Sequence, residues 1–551
     1  MTPLSESSAA GATGQAIDMR RYPGIRPLAA DYAEGAEPLL EFYAGHPNDP
    51  GAWRRVIAQA QAHHRSRSGL CDALTRQQQR RAAPPEARTA VDRLRDADSV
   101  VVITGQQAGL FGGPLYTLLK AITALKLAAR IRQEFHVPAE AVFWIDSEDH
   151  DWNEVNLCEV LDADLQPSRI SLPDPPNAGD VPVARLTLDA NVSACVDRLA
   201  ELLPPTEFTG SLLTKIRSAY RQGHGMAEAF GRWLEFVLGE FGLIVYDAAD
   251  PATKPLAGRI FAHEAAVPGR TAALAADAGQ RLVALGYHAQ VVPGVGQVSM
   301  FHLDGGRHAI GLDGERFVIG GQLVDQASLE AMASTTPERF SPNVLLRPIV
   351  QDTVFPTVAY VAGPNELAYL GQLKHVYAEF GVPMPLMYPR ASATLLDSAG
   401  VRFLAKYEVP LEDLHGHDES TLNRLLESQL PPAVERALQD ADTTIEQRMQ
   451  TLITALPALD PTLEAAARSV AGRLRHELQG LHTKIIHAAK KRDETLRRQF
   501  GRTQAQAFPG GHAQERSTGF VYFLNRYGPA LIDRLMTDLP IDPGSHWILT
   551  I

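Results

Sequence analysis

Between Val100 and Lys126 the chain reads VVVITGQQAGLFGGPLYTLLKAITALK, and no other stretch constrains the fold as much. A β-branched run, Val100 to Ile103, breaks into a polar, glycine-rich turn from Thr104 to Pro114. From Leu115 the apolar residues Leu115, Leu118, Leu119, Ile122 and Leu125 recur at helical spacing. Strand, loop and helix in this order predict an open α/β sheet, in which ligands sit at the carboxyl ends of the strands. Gly105, Gly109, Gly112 and Gly113 let backbone N–H groups approach a ligand, and a helix N-terminus behind them favours a phosphate or carboxylate. The loop is not G-x-x-x-x-G-K-[ST], because Leu110 and Phe111 replace Lys and Ser/Thr, and it is not G-x-G-x-x-G. Anion binding and a tight structural turn therefore both stay open.

Further strand ends carry chemistry. Ala141–Ile145 runs into Asp146-Ser147-Glu148-Asp149-His150-Asp151-Trp152-Asn153-Glu154. That cluster can supply a general base, ligands for a hard cation or an acceptor for a substrate amine; the structural alternative is a charged loop capping a helix. There is no HExxH, which excludes a helix-borne zinc protease site. Leu243–Tyr246 ends at Asp247, Asp250 and Pro251, with a helix expected around 254–286. Val344–Val350 and Thr357–Val361 read as strands. Gly363-Pro364 opens a helix to Phe380 that Gly381 closes, with Glu366, Tyr369 and Lys374 in or near its first turns. Arg390, Ser392 and Thr394 can hold an anion, or the segment is a turn with a capped helix.

The rest sets the architecture. Residues 1–25 read as a loose tail, and 37–66 and 70–97 as helices, the second broken at Pro84-Pro85. Arg54, Arg55, Arg65 and Arg67 read as a solvated face. Alternation around Asp304-Gly305-Gly306 and Asp313-Gly314 predicts an antiparallel ribbon, with His302 and His308 able to face each other on its surface. Val434, Leu438, Ala441, Ile445, Met449 and Leu452, then Leu463, Ala467, Val470, Leu474, Leu478, Leu481, Ile485 and Ala488, mark a coiled-coil seam whose second helix would be roughly 60 Å long. A short helix from Tyr522 to Leu535 and a strand from Trp547 to Ile551 close the chain. The expected division is core 1–159, helical insertion 160–240, core 241–289, β-ribbon insertion 290–340, core 341–400, coiled-coil arm 401–505 and a segment 506–551 returning to the core.

A formal charge of −12 argues against a nucleic-acid or membrane-surface binder. The absence of an apolar run of spanning length, or of an apolar signal core, fits a cytoplasmic protein. Cys71, Cys158 and Cys195 are few and scattered, so neither a disulfide framework nor zinc is expected.

Five stretches, taken together, resemble the bacillithiol biosynthesis cysteine-adding enzyme family: VVITGQQAGLFGGPLYTLLKA, VFWIDSEDHDWNEVN, PTVAYVAGPNELAYLGQLKHVYAEFGVPMP, YPRASATLLD and AQERSTGFVYFLNRYG. The resemblance implies a Rossmann-like α/β core with connective-peptide insertions, one a β-ribbon, and a long helical coiled-coil arm that forms a homodimer. It implies addition of L-cysteine to the amine of glucosaminyl-malate, the last step of bacillithiol synthesis. ATP or ADP would be the expected nucleotide, and Mg²⁺ is compatible. By position, Gly113, Tyr116 and Thr117 with Lys120 stand where related nucleotidyl transferases hold phosphates, and Arg390, Ser392 and Thr394 stand for a second anion-binding loop. On this reading Asp149 and His150 orient the amine and take its proton, while Lys120 and Arg390 neutralise charge in the transition state. Gly105, Gln106, Gln107, Asp146, Glu148, Asp151, Gly363, Glu366 and Tyr369 contact substrates, and Gln514, Glu515 and Arg516 serve the nucleotide. A metal-dependent hydrolase of a glucosamine conjugate and a nucleotide-responsive coiled-coil scaffold are the alternatives.

Overall fold

The computed structural model describes residues 14–294, 297–314, 316–416, 419–430, 432–492 and 494–551. The first 13 residues of the expected tail lie outside them. The chain forms two compact units, one made of the residues up to Leu395 with His512–Ile551, the other of Leu396–Gly511.

The first unit is built on five parallel strands: β1 (Val100–Gln106), β2 (Ala139–Ile145), β3 (Ile244–Asp247), β4 (Thr357–Ala362) and β5 (Leu386–Pro389). Their order across the sheet is β5-β4-β1-β2-β3. The strands are mainly apolar because both faces are covered, and the one buried carboxylate in β2, Glu140, is paired with Arg93. Val100 and Val102 join one buried cluster with helix α1 (Leu115–Phe135), while Val101 and Ile103 join a second, as period-2 alternation requires. The chain runs outward from β1 through β2 to β3, then returns to β4 on the other side of β1. The strand order thus reverses between β1 and β4, which is where an open sheet leaves a crevice at its carboxyl edge.

Two insertions flank this edge. Between β2 and β3 lie a short antiparallel pair, Leu157–Leu161 with Pro167–Ser171, and helices Asn191–Leu202, Thr209–Ala219 and Met226–Leu238. Between β3 and β4 a five-stranded antiparallel ribbon comprises Gln297–Asp304, Gly306–Asp313, Arg316–Ile319, Gln322–Val324 and Phe340–Pro342. The C-terminal strand Ser545–Thr550 sits between Gly14–Asp18 and Ser392–Leu396, so part of the expected tail is a strand.

Several local expectations are corrected. Val344–Val350 is not a strand: helix α2 spans Arg347–Val354, started by Pro348 in its first turn. The helix expected from Pro364 to Phe380 is two, α3 (Pro364–Leu370) and Lys374–Glu379. They part at Gly371, where a Cβ would stand 2.7 Å from the Tyr43 hydroxyl. The 254–286 helix divides into Gly258–Ala266 and Arg270–Ala284 across Pro268-Gly269, with Gly269 at φ +75°. The region 37–66 holds only Glu37–Leu40 and Pro50–Ala62 as helices. Arg65 and Arg67 are clamps rather than a solvated face. Arg65 donates to the carbonyls of Asp352 and Ala60, and Arg67 to those of Leu94, Ala97 and Ser99. His302 pairs with His308 across the ribbon but is buried, edge-on to Phe340.

The second unit holds helices Pro432–Ala455 and Leu463–Arg492, which pack on each other and are tied by Arg475 to Glu446 at 2.5 Å. The thirty residues of Leu463–Arg492 span about 45 Å and Glu494–Ala507 is helical as well, with residue 493 outside the described residues. Leu452, Leu463, Val470, Leu474 and Leu481 of the seam remain exposed. Among the described residues no helix is long and apolar enough to cross a membrane.

Candidate functional site

A cavity of about 580 Å³ opens at the carboxyl edge of the sheet, over the point where strand order reverses. Its floor is Gly105 and Gln106 at the end of β1, Trp144 and Asp146 at the end of β2, Gly363 after β4 and Arg390 after β5. Each follows from its strand: the apolar run ends, the backbone turns, and the next polar residue stands over the edge. Trp144 is 3% exposed, and its indole N–H has no partner among the described residues.

At the reversal itself Lys120, from the first turns of α1, is buried. Its ammonium donates to the Gly105 carbonyl (2.8 Å) and Gln106 Oε1 (3.2 Å) and pairs with Glu366 Oε2 at 2.5 Å. Glu366 also accepts from the Gly363 N–H (2.7 Å) and the Tyr360 hydroxyl (2.8 Å). Burial lowers the Lys120 pKa, opposed by Glu366. Burial pushes the Glu366 carboxyl up, but Lys120 and the two hydrogen bonds outweigh it and hold it low. This pair fixes the floor.

On the β2 side, Arg347 at the start of α2 bonds the Asp146 carboxylate and donates to the Tyr369 hydroxyl at 2.8 Å. Asp149 accepts from Gln107 Nε2 (2.9 Å) and from the His150 N–H (2.7 Å), and Arg307 of the ribbon lies 3.5 Å away. Burial raises the Asp149 pKa, yet Gln107 and Arg307 bring it below the ordinary carboxylate value. Arg307 stacks on Phe301 at 3.8 Å, and His150 Nδ1 lies 3.0 Å from its guanidinium and 3.2 Å from Asp149 Oδ1.

On the β5 side, Tyr116 lies under the guanidinium groups of Arg390 (5.6 Å) and Arg516 (5.9 Å). Arg390 makes a bidentate pair with Glu515, at 3.0 and 2.5 Å. Glu515 also accepts from Ser392 Oγ (2.9 Å) and the Ala393 N–H (3.2 Å). Burial would raise this carboxyl, but Arg390 brings it down to about 2. Because Ser392 donates to Glu515, its oxygen accepts from His546 Nδ1 (2.7 Å), and His546 Nε2 accepts from Thr394 (2.9 Å). Burial lowers the His546 pKa to about 4, so the ring is neutral.

The fold thus gathers Gly105, Gln106, Gln107, Tyr116, Lys120, Asp146, Asp149, Gly363, Glu366, Tyr369, Arg390 and Arg516 around one cavity. It places others elsewhere. Glu148 is buried against Lys254 behind the edge, Asp151 caps the short helix Trp152–Val155, and His150 is half exposed beside Arg307. The acidic cluster is therefore divided among ion pairs and a cap, and among the described residues no three His, Cys, Asp or Glu gather to hold a metal. Gly113 and Thr117 lie beneath the chain: Gly112 N–H meets the Tyr220 hydroxyl (3.1 Å), Leu115 N–H the Thr518 carbonyl (2.8 Å), and Gly113 O accepts from Phe520 N–H (3.2 Å). The glycine loop is a structural turn covered by the C-terminal segment, not an open phosphate cradle. Ser392, Thr394 and Glu515 form the buried layer that supports Arg390, and the Gln514 amide brackets Leu395 through its N–H and carbonyl. Cys71, Cys158 and Cys195 are separately buried thiols.

Arg347, Arg307, Asn343, Tyr360 and Trp144 line the cavity without having been expected. The one local signal for Arg347 was Pro348, a helix start that the surrounding apolar residues disguised as a strand.

Two family models match the chain. The first, described as Bacillithiol biosynthesis BshC, N-terminal Rossmann-like domain, covers residues 15–391. The second, Bacillithiol biosynthesis BshC, C-terminal coiled-coil domain, covers 393–551. A protein of Salinibacter ruber is 33% identical over 530 residues, 95% of this chain and 96% of its own length. One of Koribacter versatilis is 32% identical over 524 residues, 94% and 96% of the two chains. One of Geobacillus thermodenitrificans is 31% identical over 543 residues, 96% and 98%. All three bear the name "Putative cysteine ligase BshC".

Proposed function

The chain belongs to the BshC family of bacillithiol biosynthesis and is a ligase, and we propose that its reaction joins the carboxyl of L-cysteine to the amine of glucosaminyl-malate as an amide, the last step of that synthesis. The observation that carries this reading is the cavity at the reversal of strand order, with Lys120, Arg307, Arg347 and Arg390 interleaved with Asp146, Asp149 and Glu366. Its volume falls within the range of small-molecule sites. One substrate brings two carboxylates and an amine, the other a carboxylate, an amine and a thiol, so walls of mixed sign suit both.

An amine attacks only when neutral. Asp149, held low by Gln107 and Arg307, keeps its charge and orients the ammonium. The proton lost on attack passes to the Asp149–His150 pair. The tetrahedral oxyanion forms in the field of Lys120, Arg347 and Arg390, and removing one such charge costs roughly 10²–10³ in rate. A free acid needs activation before an amine displaces its oxygen, and ATP with Mg²⁺ is the proposed co-substrate, so that the displaced oxygen would leave on a phosphate of ATP. The covered glycine loop does not fit a nucleotide's phosphates, since its N–H groups already bond Tyr220, Leu110 and Thr518. The exposed leucines of the long helices suit a homodimer through that arm.

The test is mass spectrometry of purified protein with glucosaminyl-malate, L-cysteine and Mg²⁺, with and without ATP. Amide product that needs ATP, and falls at least ~10²-fold in Asp149→Ala, supports the reading. Hydrolysis of a glucosamine conjugate without nucleotide, or wild-type turnover in Asp149→Ala, contradicts it.

A further inference from the structure

The charged residues around the cavity leave two unmatched. Lys120 is paired with Glu366, Arg307 with Asp149, Arg347 with Asp146 and Arg390 with Glu515. Arg516 and Glu154 also line the cavity, and among the described residues neither has an ion-pair partner. Both are exposed side chains on opposite segments, Glu154 in the short helix after β2 and Arg516 in the helix Gln514–Ser517. Both act on one point, because the charges of Arg516 and Glu154 bear in opposite senses on the Tyr116 hydroxyl. That hydroxyl accepts from Gln106 Nε2 at 3.2 Å, which leaves its own proton for a further acceptor. The Tyr116 ring holds the Arg516 guanidinium above it at 5.9 Å, so the free cation has a fixed place.

A matched pair shares its charge between its partner and a ligand, whereas an unmatched charge beside a cavity is wholly available to a ligand. Here one free cation and one free anion flank a phenol. They suit a ligand whose amine and carboxylate lie close together. In glucosaminyl-malate the amine is on ring carbon 2 and the malyl group on the adjacent carbon 1.

We propose that Arg516 takes a malyl carboxylate while Glu154 gives the amine that Asp149 orients a second contact, so that Arg516 selects a glucosaminide carrying an anionic aglycone over a neutral one. This rests on the proposed function and adds the source of its substrate specificity. A charge-assisted contact of this kind corresponds to about 10–100-fold in affinity.

The experiment is calorimetric titration of the full chain with two probes, glucosaminyl-malate and methyl glucosaminide, which keeps the amine and lacks both carboxylates. Arg516→Gln is expected to weaken glucosaminyl-malate about 10–100-fold and to leave methyl glucosaminide unchanged, with partial recovery in Arg516→Lys. Glu154→Gln is expected to weaken both probes. Circular dichroism checks that the three variants, at two exposed positions, keep the fold. Equal affinity of wild type and Arg516→Gln for glucosaminyl-malate, or equal loss for both probes in Arg516→Gln, overturns this inference alone. Wild-type protein that binds neither probe overturns the proposed function and the inference with it.

Discussion

Glu515→Gln is the substitution whose cost the structure fixes best. Glu515 is 2% exposed and holds Arg390 in two hydrogen bonds, with Ser392 and the Ala393 N–H completing its shell. Its carboxyl is drawn from 4.5 to about 2. That difference is worth ~3 kcal/mol at 1.36 kcal/mol per unit, in line with the ~3–5 kcal/mol lost when one member of a buried pair is removed. Since the folded value is the lower one, the contribution is fully present above pH 4.5 and is lost as pH falls toward 2. The assay is urea-dependent hydrogen exchange of the segment 386–396, which measures opening of this region without requiring the whole chain to unfold in one step. Glu515→Gln should lower the opening free energy by ~3 kcal/mol at pH 7. Adding Arg390→Met should restore much of it, because no buried charge is then left alone. A loss below ~0.5 kcal/mol, or no recovery in the double variant, would mean that Glu515 and Arg390 are not a coupled buried pair.

Two further perturbations follow from the same kind of argument. Burial raises the Glu264 carboxyl to about 7, where it accepts from the Ser299 N–H (2.7 Å) and the Thr271 hydroxyl (2.5 Å). The folded value being the higher, its contribution is present below pH 4.5 and ~3 kcal/mol is lost as pH rises through 7. Exchange of the ribbon segment 297–304, corrected for intrinsic rate, should therefore show more frequent opening at pH 8 than at pH 5, with the difference removed in Glu264→Gln. In Gly112→Ala a Cβ would stand 2.2 Å from Phe520 Cζ, at φ +100°. We expect a loss of at least ~3 kcal/mol, read as a lower urea midpoint; an unchanged midpoint would mean that the glycine turn is not held by the C-terminal segment.

The sequence disclosed what is local. The run Val100–Ile103 followed by glycines and a 3.6-residue period marks β1, its loop and α1, and Ala141–Ile145 followed by carboxylates marks β2 and one wall of the cavity. Which carboxylates face the cavity was not legible, because long-range partners decide it. Glu148 turns to Lys254, 106 residues away, and Asp146 to Arg347, 201 away. The glycine loop read as an anion site because its cover, Thr518–Phe520, lies some 400 residues downstream. Val344–Val350 read as a strand because it is rich in valine, leucine and isoleucine, with only Pro348 betraying the helix.

Binding of glucosaminyl-malate to wild type and to Arg347→Ala decides whether the substrate sits in this cavity. Arg347 touches Asp146 and Tyr369 inside the cavity and no other carboxylate among the described residues. One binding site per chain is expected in the wild type and at least ~10-fold weaker binding in the variant, with the circular dichroism spectrum unchanged. Equal affinity in the two proteins would place the substrate somewhere other than the reversal of strand order.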